Sequence, residues 1–367
     1  MGSRRARPGA GDRVRRRGCR GRARQGGHPV PARLHRGGVG RPQPRGEPRP
    51  RAQQRAGRRG GRDRLVADRA PPVTGSRIVV VGDVINDIVV VPRVPMRPDT
   101  DTPATIRPRP GGSAANTAVW LGSRHAPVDF VGAVGAHDAD VHEREFRESE
   151  VEPHLQVEDA IPTGSIIIVV DGEERSMFVE RGANGALRIE SVTDELLDDA
   201  AVLHVSGYSI LDGFGATRTR DLIAHATARG VPVSVNPASI GYIADFGVEA
   251  FNGAIEGATL LFPNRAEARL LTGEDDPIAA ARVLGARFPV VALTLGGDGV
   301  LVVVDGGEAV QVPAPAVRLV DPTGAGDAFA AGFLESWVQH HDPIAAAETG
   351  VFVAACAVTQ IGGRPAF

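Results

Sequence analysis

Asp321-Pro322-Thr323-Gly324-Ala325-Gly326-Asp327-Ala328-Phe329 is the stretch whose reading decides the fold. A β-rich run, Ala316 to Val320, leads into it, and an apolar helical run, Ala328 to Val338, follows. Small residues at a helix mouth let the backbone approach an anion, and the first-turn N–H groups and helix dipole then favour negative charge. Asp327 lies inside that cradle, where a carboxylate would repel a resting phosphate. A base placed beside a transferring phosphoryl group accounts for the combination. A dinucleotide fingerprint G-x-G-x-x-G would need glycine where Phe329 stands.

Working outward, apolar runs and helical patterns alternate. Arg77–Val84 predicts a buried parallel strand, Ala114–Gly122 a helix, Val128–Val134 a strand, then a helix to about Ser149. From Val202 the alternation continues. Strands are expected at Val202–Ser206, Val231–Asn236, Thr259–Phe262 and Val290–Leu295, with helices between them to Arg229, Glu256 and Arg287. Val300–Val304 and Ala309–Val312 read as a hairpin, and two helices close the chain. The pattern predicts an α/β fold, a doubly wound and mainly parallel sheet with helices on both faces. Two β-rich inserts break it. Ile88–Val91 with Thr105–Arg107, and Ser165–Val170 with Arg175–Val179 around the turn Asp171-Gly172-Glu173-Glu174, are expected to form a small separate sheet over the strand ends.

The 367 residues suffice for one large α/β domain or two ordinary ones. A net charge of −2 hides an asymmetry: residues 1–70 carry 22 Arg against 4 acidic residues, the remainder 20 Arg against 40. All 42 basic residues are arginine, which excludes a Schiff-base or P-loop lysine. Residues 1–75, rich in Arg, Gly and Pro, lack the apolar pattern needed to fold and read as a disordered extension. They suit either a nucleic-acid-binding tail or the translation of an early start codon in a GC-rich gene, the latter being favoured. Cys19 and Cys356 are the only cysteines and suit a reducing cytosol. No apolar run reaches the roughly 18 residues of a membrane helix.

Four more segments bear chemistry. Pro110-Gly111-Gly112-Ser113-Ala114-Ala115-Asn116 lets backbone approach a ligand and sets Asn116 in a first helical turn, or is simply a capped glycine turn. Gly82-Asp83-Val84-Ile85-Asn86-Asp87 puts acidic and amide groups after the first strand, suited to hydroxyl recognition or to a polar turn. In Asn264-Arg265-Ala266-Glu267, Asn and Glu share one helical face, as oxygen groups near Mg²⁺ or as a helix start with a first-turn acid. Thr294-Leu295-Gly296-Gly297-Asp298-Gly299 is a glycine turn that could pass under a nucleotide or close a hairpin.

In this order and spacing, the segments resemble the ribokinase (phosphofructokinase-B) family of carbohydrate kinases from about Arg77 to Pro365. The resemblance implies a kinase domain over 76–367, with a lid from about 88–110 and 162–181. It implies ATP-dependent phosphorylation of a hydroxyl of a small sugar or polyol, in the cytoplasm. Asp327 would be the base, with Gly324, Ala325 and Gly326 completing the anion hole. Asp87, Gly111, Gly112 and Asn116 match sugar-binding positions. Asn264, Thr294, Gly296 and Gly299 match the nucleotide side, and Glu267 the Mg²⁺ side. Asp321 and Thr323 match a site that binds a monovalent cation such as K⁺ in several relatives. Two copies could pair through the lid.

Ser206-Gly207-Tyr208-Ser209 stands where ribokinase itself carries a sugar-contacting glutamate, so ribose is not implied. Arg181 is expected to be solvated, though it could reach an acidic sugar or a phosphate. A nucleoside kinase of the same fold, and a non-catalytic sugar or nucleotide sensor, are the alternative readings. With 4% aromatic residues, the chain is poor in groups for stacking a base.

Overall fold

The computed structural model describes residues 76–171 and 174–366. The Arg-rich stretch 1–75, Cys19, and the centre of the predicted hairpin turn at 172–173 lie outside the described residues.

β1 (Arg77–Val81) lies inside the main sheet. Its Ile78 and Val80 enter one apolar layer and Val79 and Val81 the other, the period-two signature of a strand covered on both faces. β2 (Ile85–Pro92) and β3 (Ala104–Gly111) leave for a small sheet, and α1 (Ser113–Ser123), β4 (Val128–Gly135), α2 (Ala139–Glu148) and β5 (Glu152–Glu158) return to the large one. β6 (Gly164–Asp171) and β7 (Glu174–Glu180) complete the small sheet, in the order β3-β2-β6-β7. After α3 (Asp194–Asp198) come β8 (Ala200–Ser206), a short turn α4 (Gly207–Ser209), α5 (Gly215–Ala228), β9 (Val233–Asn236), α6 (Ile240–Phe246) and α7 (Val248–Ala254). The chain continues through β10 (Leu260–Leu261), α8 (Arg265–Thr272), α9 (Pro277–Gly285), β11 (Val290–Thr294), β12 (Val300–Val304) and β13 (Val310–Val312). α10 (Ala325–His340) and α11 (Pro343–Ala357) follow.

The nine strands of the large sheet run β13-β12-β11-β10-β9-β8-β1-β4-β5, parallel except that β12 opposes both neighbours. Helices α1, α2, α10 and α11 cover one face around Trp120, Phe146, Phe333 and Val353. Helices α5, α7, α8 and α9 cover the other around Leu222, Phe251, Ala268 and Leu284. From β1 the chain builds outward to β5, then returns to lay β8 on the opposite side of β1. The strand order therefore switches between β1 and β8, where doubly wound sheets open a crevice at their carboxyl ends. The small sheet joins this end, since β2 and β3 leave from β1 and return into α1.

Three segments depart from the sequence pattern. Ala316–Val320 is not a strand, and Leu319 is 63% exposed. Pro313 and Pro315 remove ladder donors just before it, so this apolar run becomes a loop. β5 went unrecognised because it pairs only with β4 at the sheet edge and includes Pro153, so it shows no continuous apolar run. The helix expected to Glu256 breaks at Gly247, whose φ of 100° glycine tolerates and other residues resist. No helix among the described residues is long and apolar enough to cross a membrane.

Candidate active site

Asp327 occupies the first turn of α10 and is 8% exposed. The Ser113 hydroxyl donates to its Oδ1 (2.7 Å) and the Asn116 amide to its Oδ2 (3.0 Å). Burial pushes its carboxyl up to about 7; the two donors oppose that rise, and the nearby Asp83 and Asp87 charges add to it. Gly324 precedes α10 at φ 75°, where a Cβ would come within 2.5 Å of Gly363. A Cβ on Gly326 would meet nothing within 4 Å, so that backbone faces open space. The Ala325 N–H is committed to the Pro322 carbonyl (3.2 Å). The N–H groups of Gly326 and Asp327, as first-turn donors, have no acceptor within their own helix.

The surroundings of Asp327 are assembled from β1, β2, β3 and α1. Asp83, just past β1, accepts from the N–H groups of Ser113 (3.0 Å) and Ala114 (3.1 Å) and so caps α1 from another segment. The Ser206 hydroxyl, at the end of β8, also donates to Asp83 (3.2 Å). Asp87 lies over Gly111, where a Cβ would fall 2.3 Å from its Oδ2; the glycine is needed for that approach. Burial pushes Asp87 up to about 6, against the opposing charge of Arg364. Gly112, at φ 95°, packs on the Asp83 carbonyl.

Arg181 is not solvated, contrary to the sequence expectation. It donates to Asp212 (2.5 Å), stands 3.7 Å from Asp83, and lies over the Tyr208 ring at 4.6 Å. Burial works against its charge, but Asp83 and Asp212 outweigh it and hold its pKa above the usual value.

Asn264 and Glu267 form a reciprocal capping box at the start of α8, with each side chain accepting from the other's backbone N–H. The helix-start reading of this pair therefore holds. Glu267 also lines a cavity of about 260 Å³ together with Asp327, Ser113, Tyr208 and Thr294. Burial pushes Glu267 up to about 7, a rise opposed by its bond from Asn264 and reinforced by the Asp327 charge. A second cavity of about 490 Å³ shares Thr294, Gly326 and Phe329 with the first. Its walls include Gly296, Gly297, Gly299 and the apolar loop residues Val317 and Leu319. A Cβ on Gly296 or Gly297 would meet nothing within 4 Å. Asp321 accepts from the Thr323 N–H (3.0 Å) and hydroxyl (2.7 Å) and from the Gly362 N–H (3.0 Å), tying the loop before α10 to the turn after α11. No group of three or more His, Cys, Asp or Glu among the described residues gathers to hold a metal.

Of the predicted residues, Asp327, Asn264, Glu267, Thr294, Ala325, Gly326, Gly296 and Gly299 line these two cavities, Asn116 reaches Asp327, and Asp87, Gly111, Gly112, Gly324, Asp321 and Thr323 line neither. Sequence reasoning passed over Asp83 as a cap, Ser113 as a donor to Asp327, and Arg364, which reaches Asn116 (3.2 Å) and the Gly111 carbonyl (3.1 Å). Only the glycine pair Gly362-Gly363 beside Arg364 signals that this segment approaches other backbone closely.

Fold and cavities together define a small-molecule kinase of the ribokinase-like α/β class. Residues 76–366 match the family described as pfkB family carbohydrate kinase; the chain belongs to that family and is an ATP-dependent carbohydrate kinase. An ATP-dependent ribose-1-phosphate kinase from Halopiger xanaduensis is 30% identical over 299 residues, 79% of this chain and 94% of that protein. Adenosine kinase from Sinorhizobium meliloti superposes with a TM-score of 0.70 at 26% identity, covering 79% of this chain and 96% of that one. Ribokinase from Thermotoga maritima shares the fold, with a TM-score of 0.65 at 24% identity over 78% of this chain and 94% of that one.

Proposed function

We propose that Asp327 is the general base that activates a hydroxyl of a small sugar or polyol for attack on the γ-phosphorus of ATP. The observation that carries this is a buried carboxylate, pushed up to about 7, inside an anion cradle and facing the acceptor-side residues Ser113 and Asn116. A base with a pKa near the working pH is ionised enough to accept a proton, yet basic enough to draw one from a hydroxyl. In the step, the acceptor O–H proton passes to an Asp327 oxygen as the new O–P bond forms. The bond from the γ-phosphorus to the β,γ-bridging oxygen breaks, and its electrons leave with ADP. Backbone N–H groups of Gly324, Gly326 and Asp327 would neutralise the transferring oxygens, with Ala325 holding the turn.

Asp87, Gly111, Gly112 and Asn116 would bind the sugar, and Asn264, Thr294, Gly296 and Gly299 the nucleotide. The buried Glu267 carboxylate, beside the cavity that holds Asp327, fits a Mg²⁺ that takes its other ligands from phosphate and water. That ion supplies charge neutralisation on the phosphates. The four-stranded lid would close over the sugar and exclude water. Asp321 and Thr323 are the candidates for K⁺; unchanged turnover after exchange of K⁺ for tetramethylammonium would remove that part. The register aligns Pro108, Ile88, Ile167 and Phe178 across one lid face, with Phe178 63% exposed, so a second copy is the proposed partner there. A monomeric mass by light scattering would reject that pairing.

The test is a coupled ADP-release assay across sugars, sugar phosphates and nucleosides. Nucleosides belong in the panel because Tyr208 lines the cavity with Tyr242 edge-on against it at 5.9 Å, an aromatic pair suited to a base. Acceptor-dependent ADP release that disappears in Asp327→Asn supports the base role. Release that persists in the variant removes it, and no release with any acceptor favours the sensor.

A further inference from the structure

Arg364 lies far along the chain from the acceptor segments, yet its side chain is buried among them, 11% exposed. Its Nε donates to Asn116 Oδ1 (3.2 Å) and one Nη to the Gly111 carbonyl (3.1 Å), while the other Nη stands 3.7 Å from Glu145. The guanidinium also lies 5.7 Å from the Phe146 ring centre. The turn that carries it is wedged in place. The Trp120 indole donates to the Gly363 carbonyl (2.9 Å), and a Cβ on Gly363 would fall 2.5 Å from Asn116 Nδ2. The same turn packs on Gly324 and is tied by its Gly362 N–H to Asp321 (3.0 Å). It therefore braces α1 against the start of α10.

We propose that Arg364 is a positioning residue that fixes the Asn116 amide as a donor to Asp327; the inference rests on the base role proposed above. A guanidinium has donors only, so it holds the amide oxygen toward itself and leaves the amide N–H₂ facing Asp327. A flipped amide would set N–H against N–H on one side and oxygen against carboxylate on the other. While Asp327 is ionised, its own charge also orders the amide. Once it has taken the acceptor proton, that hold is lost, and Arg364 alone keeps the amide oriented for the return to the carboxylate. Arginine rather than lysine suits the position because the planar fork reaches the Asn116 oxygen and the Gly111 carbonyl together.

A double-mutant cycle on the full chain tests this, with ATP, Mg²⁺ and the best acceptor from the panel. Arg364→Lys keeps the charge opposite Asp87 and Glu145 but loses the fork, and Asn116→Leu removes the amide at similar volume. The expected result is a drop in kcat of about tenfold for Arg364→Lys, with KM for ATP unchanged, shrinking to less than about twofold in the Asn116→Leu background. Equal losses in both backgrounds, or a loss confined to thermal stability, would overturn the positioning role. Arg364→Met, which removes the donors and keeps the stem, must cost kcat at least as much as lysine does, and a milder effect also overturns it. Native-like turnover in Asp327→Asn would sink the base reading itself. An inactive Asp327→Asn beside an additive cycle sinks only the role of Arg364.

Discussion

Replacing Asp327 by asparagine should stabilise the protein while abolishing turnover. The Asp327 carboxyl is raised from 3.8 to about 7, with burial the largest cause. That is about three pH units at about 1.4 kcal/mol each, so keeping the group ionised above pH 7 costs the folded state roughly 4 kcal/mol. The sign follows from proton binding. Between about pH 4 and 7 the folded state holds the proton more tightly than the unfolded chain, so this group's contribution is full below pH 4 and is lost as pH rises through 7. Asparagine mimics the protonated carboxyl. Its carbonyl accepts from Asn116, and the Ser113 hydroxyl can rotate to accept from its amide. Urea unfolding of both proteins from pH 5 to 9 measures the difference. The variant's margin over the wild type should grow with pH from about 2 kcal/mol at pH 5, level off above about pH 8 at roughly 4 kcal/mol, and close only below about pH 4. No gain at pH 8, or a gain independent of pH, would refute the reasoning. On the proposed base role, kcat/KM of the wild type should fall on the acid side with a midpoint near 7 rather than near 4.

Gly326→Ala should fold as well as the wild type or gain up to about 1 kcal/mol, because its Cβ meets nothing within 4 Å and alanine favours helix, yet it should raise KM for ATP by crowding the cradle. Chemical denaturation beside steady-state kinetics checks both halves. Gly324→Ala should instead lose roughly 1–3 kcal/mol, since φ is 75° and its Cβ would meet Gly363 at 2.5 Å; a native melting temperature would contradict this. Arg181→Met, which leaves Asp83 and Asp212 buried without their cation, should cost roughly 3–5 kcal/mol in urea unfolding, whereas a solvated arginine would cost almost nothing.

Much of the fold was legible because its signals are local. The apolar run at Arg77–Val81, the glycines before α1 and α10, and the two β-rich inserts each declare themselves within a few consecutive residues. Ala316–Val320 misled for the same reason. Its residues favour a strand, and only the prolines before it and the absence of a pairing partner leave it as a loop along the larger cavity. The Asn264–Glu267 pair was legible as either cap or ligand, and the structure shows the cap while leaving Glu267 on the cavity wall.

By itself, the sequence determined the alternating α/β plan, the glycines in the turn before Asp327, and the absence of any lysine. Backbone freedom at glycine and apolar periodicity are properties of neighbouring residues, so they survive without coordinates. Tertiary structure alone decided what surrounds the carboxylate. Ser113 and Asn116 reach Asp327 across more than two hundred residues, Asp83 caps a helix it does not belong to, and Arg364 arrives from the turn after α11 to hold Asn116. Such contacts depend on which strand ends the sheet brings together at the switch between β1 and β8, and no spacing along the chain encodes that.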